Sequence, residues 1–456
     1  MRIAIVGGGI AGLAAARRLE ALLPDAEIVL LEATARVGGK LVTEYADGFL
    51  IEGAADSFLS RKQRAVELCE ELDLADELIG RRAENARSFV RVGRELHLLP
   101  EGLTGMIPTD LDALAQSRLL SPDGHARLAA EPDVPPAPPA GDESIASFVT
   151  RRLGHEAYER LVEPLFAGIY GGDGEQLSLQ ATFPNLRALE LEHGSLLRGL
   201  QALSRPPSEY PPFVALRSGM QTLADKLAGS LVRTTVVTGE RSPRRGERLV
   251  TKSHEGSRYV VGKREADAVV VATPAPAASR LVAGLDPELA ELLAGIPYAS
   301  SAIVTFAYRR EDVPHPLDGY GYLVPAIERS DVLACTWSSS KWQHRAPEGF
   351  ALLRVYLRRI SSDVDAELVD VARTELRLLG LEGESHLTRV HRWPDGMPQY
   401  VLGHPERLER IDEALERHRG LALAGAAYRG VGIPDCIESG ERAAESVARS
   451  LAGVTT

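Results

Sequence analysis

The chain has 456 residues, 44% hydrophobic and 25% charged, which suits an ordinary soluble globular protein with room for two or three domains and an ample core. Lys and Arg number 52 against 64 Asp and Glu, a formal charge of −12. Bulk electrostatics therefore disfavour a general binder of nucleic acid or anionic membrane, while a local basic patch and peripheral membrane contact stay open. Three widely spaced cysteines, Cys69, Cys335 and Cys436, make neither a disulfide framework nor a CxxC metal pair and fit a reducing compartment.

Arg2-Ile3-Ala4-Ile5-Val6 is a short apolar run. Gly7-Gly8-Gly9-Ile10-Ala11-Gly12 follows at once, and apolar residues from Leu13 to Leu23 recur at helical spacing. This is strand, glycine turn and helix. Gly7 permits the tight turn, Gly9 lets backbone N–H groups close on a pyrophosphate, and Gly12 lets the helix pack against the strand, with the helix N-terminus favouring the anion. A second strand, Glu27 to Leu31, ends in Glu32, an acid that suits a ribose 2′-hydroxyl and repels a 2′-phosphate. The chain enters its cofactor strand directly, so no signal peptide is read and a cytoplasmic protein is expected. Glu32-Ala33-Thr34-Ala35-Arg36-Val37-Gly38-Gly39-Lys40 resembles the ExxxRxGG[RK] extension of FAD-containing amine oxidases, phytoene desaturases and protoporphyrinogen-type oxidases. There Gly38 and Gly39 would let backbone pass close to the cofactor, and Arg36 and Lys40 would offset phosphate charge.

Leu41 to Tyr45 and Phe49 to Glu52 read as a hairpin across Asp47-Gly48, and the turn Gly53-Ala54-Ala55-Asp56 follows. Arg64 to Leu74 is an amphipathic helix with Cys69 as a buried small residue. Ser88 to Val92 and Glu95 to Leu98 form a second hairpin. Residues 108 to 205 are mainly helical. They contain a proline-rich linker or stiff loop from Glu131 to Gly141, too poor in apolar side chains to fold by itself. They also contain helices at Ser144 to Arg152 and His155 to Phe166, the second running into Gly168-Ile169-Tyr170-Gly171-Gly172-Asp173. That glycine cluster either brings backbone against a flat ligand or is simply a turn.

A helix from Gly219 and a strand from Thr234 to Val237 come next. Asp267 to Thr273 is then a nearly unbroken β-branched run, as expected of a strand buried on both faces of a parallel sheet. The most apolar long stretch, Ala266 to Leu285, is interrupted by Asp267, Pro274, Pro276 and Arg280, so it is not a convincing membrane span. Ala299 to Tyr308, Gly321 to Pro325, Val332 to Trp337 and Ala351 to Arg358 predict an antiparallel sheet, followed by a helix from Ala366 to Leu379. Gly420 to Gly425 is again strand then glycine turn, leading through Gly430-Val431-Gly432-Ile433 to a helix from Ser439 to Leu451, whose N-terminus would face the redox end of a dinucleotide. No HxxxH or Cys/His spacing marks a metal site. His344, His391 and His404, which lie among aromatic residues, read as core or rim side chains, and Cys436 as a small buried one.

Six long stretches resemble the FAD-dependent porphyrinogen oxidases of haem biosynthesis, specifically the soluble bacterial coproporphyrinogen III oxidase group. They are Gly53 to Lys62, Glu163 to Asp173, Leu177 to Pro184, Cys335 to Gly349, Arg392 to His404 and Gly430 to Gly440. Amine oxidases share the ends of the chain but not these middle segments. The resemblance implies an α/β fold: a Rossmann-like FAD-binding domain interleaved with an antiparallel-sheet substrate domain and a helical subdomain. Residues 1–57, 215–285 and 390–456 would form the first, 58–107 and 286–389 the second, and 108–214 the third.

It further implies noncovalent FAD held by Gly7, Gly8, Gly9, Ile10, Ala11, Gly12, Glu32, Ala33, Gly39, Lys40, Gly53, Ala54, Ala55, Asp56, Ser242, Trp393, Val431, Gly432 and Ile433. The relatives usually carry Gly-Gly-Pro or Gly-Pro where this chain has Ala54-Ala55. Substrate contacts are implied at Ser88, Gly168, Gly171, Gly172 and Tyr356, with Arg87 standing in for a base found at the Ser88 position in some relatives. The implied reaction converts coproporphyrinogen III to coproporphyrin III, with molecular oxygen reoxidising the flavin and leaving as hydrogen peroxide. No side chain is assigned as acid or base, since the cofactor carries the hard chemistry. The alternatives are a protoporphyrinogen oxidase, another flavin amine-oxidase-like enzyme, and a flavin-stabilised carrier that hands porphyrin to the next enzyme. The four propionates of coproporphyrinogen would call for local bases, with Arg87, Arg91, Lys341 and Arg345 as candidates and added salt weakening the contact.

Overall fold

The computed structural model describes residues 1–104, 106–136, 141–203, 209–239, 250–252, 258–358, 360 and 363–452. Its first sheet is parallel throughout, in the order Thr234–Val237, Glu27–Leu31, Arg2–Val6, Ala268–Val271, Leu421–Leu423. Ala268–Val271 is buried along its whole length, as its unbroken apolar sequence requires. The register aligns Val237, Leu31, Val6, Val271 and Leu423. Five strand ends therefore stop at one edge, and the segments after them open on the same crevice.

Two helices pack on this sheet and on each other. Ile10–Leu22 buries a small-residue face of Ala11, Gly12, Ala14, Ala15 and Ala16, and the last helix, Ile433–Ala452, lies against it. They meet so closely that a side chain on Gly440 would run into the Ala11 carbonyl. This last helix begins six residues earlier than the expected start at Ser439. Pro434 suits a first helical turn, where no N–H partner is needed, and Asp435 accepts from the Gly432 N–H at 3.1 Å, so the turn closes at once into helix.

The second sheet has seven strands in the order Leu387–Pro398, Tyr298–Arg309, Phe350–Leu357, Val332–Trp337, Gly321–Leu323, Phe89–Val92, Glu95–Leu98. It is antiparallel except where Gly321–Leu323 runs parallel to Phe89–Val92. Side chains alternate between its faces. Phe306, Val304, Leu353 and Val355 pack against Leu368, Ala372 and Leu376 of the helix Asp365–Leu376. The opposite face follows from register: Trp393 pairs with Ser301, His391 and Tyr356 with Ile303, Arg354 with Thr305 and Thr336, and Ala334 with Leu323.

The helical part contains Ile145–Leu153, then a continuous run from His155 to Tyr170 with one π turn at Tyr158–Val162, and the helices Pro184–His193 and Leu196–Ala202. Of the two readings of Glu131 to Gly141, a linker or a stiff loop, the described beginning of the stretch fits the second. Residues 137–140 lie outside the described set, but Glu131 is fully buried. Its carboxylate accepts from Arg152 Nε at 2.7 Å, from the backbone N–H groups of Leu196 at 2.8 Å and Leu197 at 3.1 Å, and from the Ser195 hydroxyl. One acid thus caps a helix and neutralises a buried arginine, a role the surrounding prolines hide in the sequence.

Removing one partner of a buried pair leaves the other charge uncompensated and typically costs about 3–5 kcal/mol. Glu131→Gln is therefore expected to lower the calorimetric unfolding temperature well beyond the change produced by Glu27→Gln in an exposed pair. Equal shifts for the two variants would show that the Glu131 network does not stabilise the helical part.

Candidate functional site

The three spaced glycines of the first loop serve different ends. A Cβ on Gly7, whose φ is 111°, would lie 2.6 Å from the Ala272 carbonyl oxygen, and one on Gly12 would run into the Gly7 carbonyl. These two are packing positions. Around a Cβ built on Gly9 nothing lies within 4 Å, so of the three this residue alone faces open space at the helix start. No side chain caps the helix Ile10–Leu22 and no acid stands in its first turn, which leaves its leading amides, with Ile10 and Ala11 among them, free to bind an anion.

Glu32 is buried beside the loop, accepting from the Gly8 N–H at 2.7 Å and from the Thr34 N–H and hydroxyl, each at 2.8 Å. Ala33 follows, exposed on the surface. Gly38 donates to the Gly8 carbonyl at 2.8 Å, and Gly39 comes so close that its Cβ would sit 3.2 Å from Gly9 Cα. The GG extension thus folds back over the first loop. The Arg36 guanidinium donates to the carbonyls of Val37, Gly39 and Leu41 and to Gln221 Oε1. These contacts shape the loop. Lys40 donates to the Gly396 carbonyl, and burial draws its ammonium pKa down.

The Gly53–Asp56 turn is gripped by the seven-stranded sheet. Gly53 donates to Val42 O at 2.7 Å and accepts from Trp393 Nε1 at 2.8 Å, while the His391 ring leaves no room for a side chain at Gly53. Arg354 Nη2 donates to Ala54 O at 2.5 Å, and Ala55 is exposed. Asp56 accepts from Lys341 Nζ at 2.9 Å and Trp342 Nε1 at 3.1 Å, with Arg354 Nη1 at 3.6 Å. Burial alone would raise the Asp56 pKa, but the Lys341 ammonium and Arg354 guanidinium outweigh it and hold the carboxyl well below the usual range. The unusual Ala54-Ala55 pair is accommodated by these clamps on either side of it.

A third loop completes the crevice. Gly425, with φ 118°, has nothing within 4 Å of a would-be Cβ. Gly430 donates to the Tyr400 hydroxyl at 2.8 Å, and Val431, Gly432 and Ile433 lead into the last helix. Cys436 is buried there, its thiol pushed up to about 12 by burial, so a thiolate able to attack a cofactor is suppressed. Ser242 lies outside the described residues.

The expected substrate residues are brought to one face of the seven-stranded sheet only in part. Tyr356 lies there with the Arg354 guanidinium 5.1 Å from its ring centroid, and burial pushes its hydroxyl up to about 12. Gly168 approaches from the helical part, its Cβ position 3.5 Å from the Leu323 methyl. Ser88 leads into Phe89–Val92 and accepts from Leu99 N at 2.9 Å. Gly171 ends its helix in the left-handed region with open space before it, and Gly172 is packed against the Gln399 amide. Arg87 is half exposed and paired with Asp318 at 3.0 Å.

Of the other bases, Arg91 faces Glu375 at 3.1 Å and Glu328 at 3.9 Å. Arg345 is buried, donating to the carbonyls of Leu216 and Arg217 with Glu52 at 4.0 Å. Neither is free at a cavity rim, which corrects their candidacy. Sequence reasoning missed Arg81, Arg354, Trp342 and the clamping part of His391. A signal existed for Arg354, the one charged residue inside the otherwise apolar strand FALLRVYL. Of the histidines, His404 stacks on Tyr400 with ring centroids 4.3 Å apart.

A family model described as flavin containing amine oxidoreductase matches residues 10–448. The chain is 35% identical to the coproporphyrinogen III oxidase of Bacillus subtilis (strain 168), over 97% of this chain and 96% of that one. It is 28% identical to the chloroplastic protoporphyrinogen oxidase of Nicotiana tabacum, over 97% of this chain and 84% of the other. A crystal structure from Exiguobacterium sp. 255-15, provisionally named a protoporphyrinogen oxidase, matches with a TM-score of 0.86 and 33% identity over 98% of each chain.

Gly9→Val places a branched side chain in the open space before the first helix. Flavin content of the purified protein is expected to fall about tenfold or more, as when one charge-assisted contact is lost, while expression and helix content hold. Undiminished flavin in a folded variant would show that the loop does not receive the pyrophosphate.

Proposed function

The chain belongs to the flavin containing amine oxidoreductase family, and from that premise we propose that it oxidises coproporphyrinogen III to coproporphyrin III. The observation that carries the reading is the closure of one face of the seven-stranded sheet, bearing Tyr356 and Arg354, onto the Gly53–Asp56 turn beside the dinucleotide crevice. Likeness to bacterial coproporphyrinogen III oxidases over nearly the whole chain supports this substrate.

The residues present fit FAD. The space at Gly9, the uncapped helix start and the buried Glu32 suit the pyrophosphate and ribose. Gly7 to Gly12, Glu32, Ala33, Gly39, Lys40, Gly53 to Asp56, Trp393 and Val431 to Ile433 would hold it, within a binding domain of residues 1–57, 215–285 and 390–456. When bound, FAD supplies a two-electron acceptor for hydrogen removed from the macrocycle. The chain's own contribution is orientation. Trp393 and Arg354 fix the turn against which the cofactor would lie, and the sheet face with Gly168 offers a flat wall to a flat substrate. Asp56 is held ionised by its cations, so it anchors and does not donate a proton. Burial and the neighbouring Arg354 lower the His391 pKa, which leaves a neutral ring packed against Gly53.

Molecular oxygen as final acceptor, hydrogen peroxide as by-product, a cytoplasmic site of action and hand-over of the porphyrin to the next enzyme are parts of the same proposal. Among the described residues no helix is long and apolar enough to cross a membrane.

Anaerobic mixing with coproporphyrinogen III should bleach the flavin within the time of turnover, as an enzyme requires and a carrier does not. In parallel steady-state assays kcat/KM should favour coproporphyrinogen III over protoporphyrinogen IX by about tenfold or more, the worth of one charge-assisted contact. Equal values, or preference for the substrate with fewer carboxylates, would defeat this assignment and leave a flavin oxidase of another substrate.

A further inference from the structure

Among the described residues, the side of the seven-stranded sheet that meets the Gly53–Asp56 turn carries more buried positive charge than the carboxylate there neutralises. Lys341 and Arg354 share the single carboxylate of Asp56. Arg354 is 1% exposed, and its Nε and Nη1 atoms are buried without a hydrogen-bond partner. Arg81 belongs to the same group. The Arg82 N–H donates to the Lys341 carbonyl at 3.0 Å, which ties this segment to Lys341. The Arg81 guanidinium lies 4.6 Å from the ring centroids of both Phe213 and Tyr320. Among the described residues it makes no ion pair with a carboxylate. The nearby Arg345 does not alter the balance, since it faces Glu52.

Three cations around one acid, with guanidinium donors left over, are costly to bury unless an anion joins them. Arginine forks match the planar geometry of a carboxylate. Arg354 shares its face of the sheet with Tyr356, where the substrate is placed by the proposed function.

We propose that Arg81, Lys341 and Arg354 form the seat of one propionate carboxylate of the substrate, with Asp56 fixing the last two in place. The seat rests on the porphyrinogen reading and deepens it by naming which bases meet the substrate's acid groups. Arg91 and Arg345 also keep a buried Nε without a hydrogen-bond partner, but each faces a carboxylate outside this group and is left out of the seat. Arg81 is the adjustable member, because aromatic rings hold it and no carboxylate would be orphaned by its removal.

The test uses flavin-loaded enzyme and coproporphyrin III as the probe, titrated by fluorescence quenching, with coproporphyrin III tetramethyl ester as the uncharged control. Arg81→Met should weaken binding of the acid by about ten- to a hundredfold, as expected for loss of a hydrogen bond to a charged group, and leave the ester unchanged. The KM for coproporphyrinogen III should rise by a similar factor with kcat and flavin spectrum little altered, and Arg81→Lys should recover part of the loss. Arg354→Lys, which retains charge but removes the fork, gives a second arm and should also weaken the acid selectively. Unchanged affinity for the acid in Arg81→Met, or equal losses for acid and ester, would overturn the seat and leave Arg81 as a packing residue. Wild-type enzyme that binds the acid selectively yet oxidises no coproporphyrinogen would instead defeat the functional reading and spare the seat.

Discussion

The Asp56 carboxylate is the joint on which the two sheets depend. It stands at the end of the turn that follows the first hairpin, and its partners Lys341, Trp342 and Arg354 lie nearly three hundred residues later. At an effective dielectric near 20, unit charges 4 Å apart attract by about 4 kcal/mol before desolvation is counted. Much of that is offset by taking the charges out of water, so the joint's larger contribution is geometric. It fixes the Gly53–Asp56 turn against the strand Phe350–Leu357.

That joint makes sense only because the parallel sheet is assembled from distant pieces. Strands from the beginning, middle and end of the chain align their final residues at one edge. Each is followed by a segment that cannot continue as strand, and glycine at Gly7 and Gly425 provides conformations with positive φ. The crevice is thus a consequence of register: had any strand slipped by one residue, its buried side chains would have turned to the other face.

The helical part shows the same economy of charge in a different setting. Glu131, Arg152, Glu190, Arg187, Arg151 and Glu143 form a connected set of acids and bases, much of it buried. Here the balance is even and every charge is answered within the network. Around Asp56 it is not. The contrast between a closed structural network and an open cationic one separates a scaffold from a binding site more sharply than burial does.

The sequence by itself determined the local elements and the cofactor class. Periodicity and glycine spacing fix strand, turn and helix at residues 2–22 because those signals act over a few residues. The buried run at 268–271 betrays a parallel sheet because only a strand covered on both faces is apolar at every position. The family-like stretches carried the substrate class. What only the tertiary structure decided was the company each charge keeps. Arg36 read as a partner of phosphate charge, Arg91 and Arg345 as bases for propionates, and Glu131 as part of a proline-rich segment; Arg91, Arg345 and Glu131 prove to be held by partners far along the chain, and Arg36 by its own loop and Gln221. Arg81 and Arg354 drew no attention, yet Arg354 meets Asp56 and Arg81 lies within reach of the same charge. Charge pairing is set by distances in space, and a linear pattern records side-chain type without recording which other side chains the fold will bring within 4 Å.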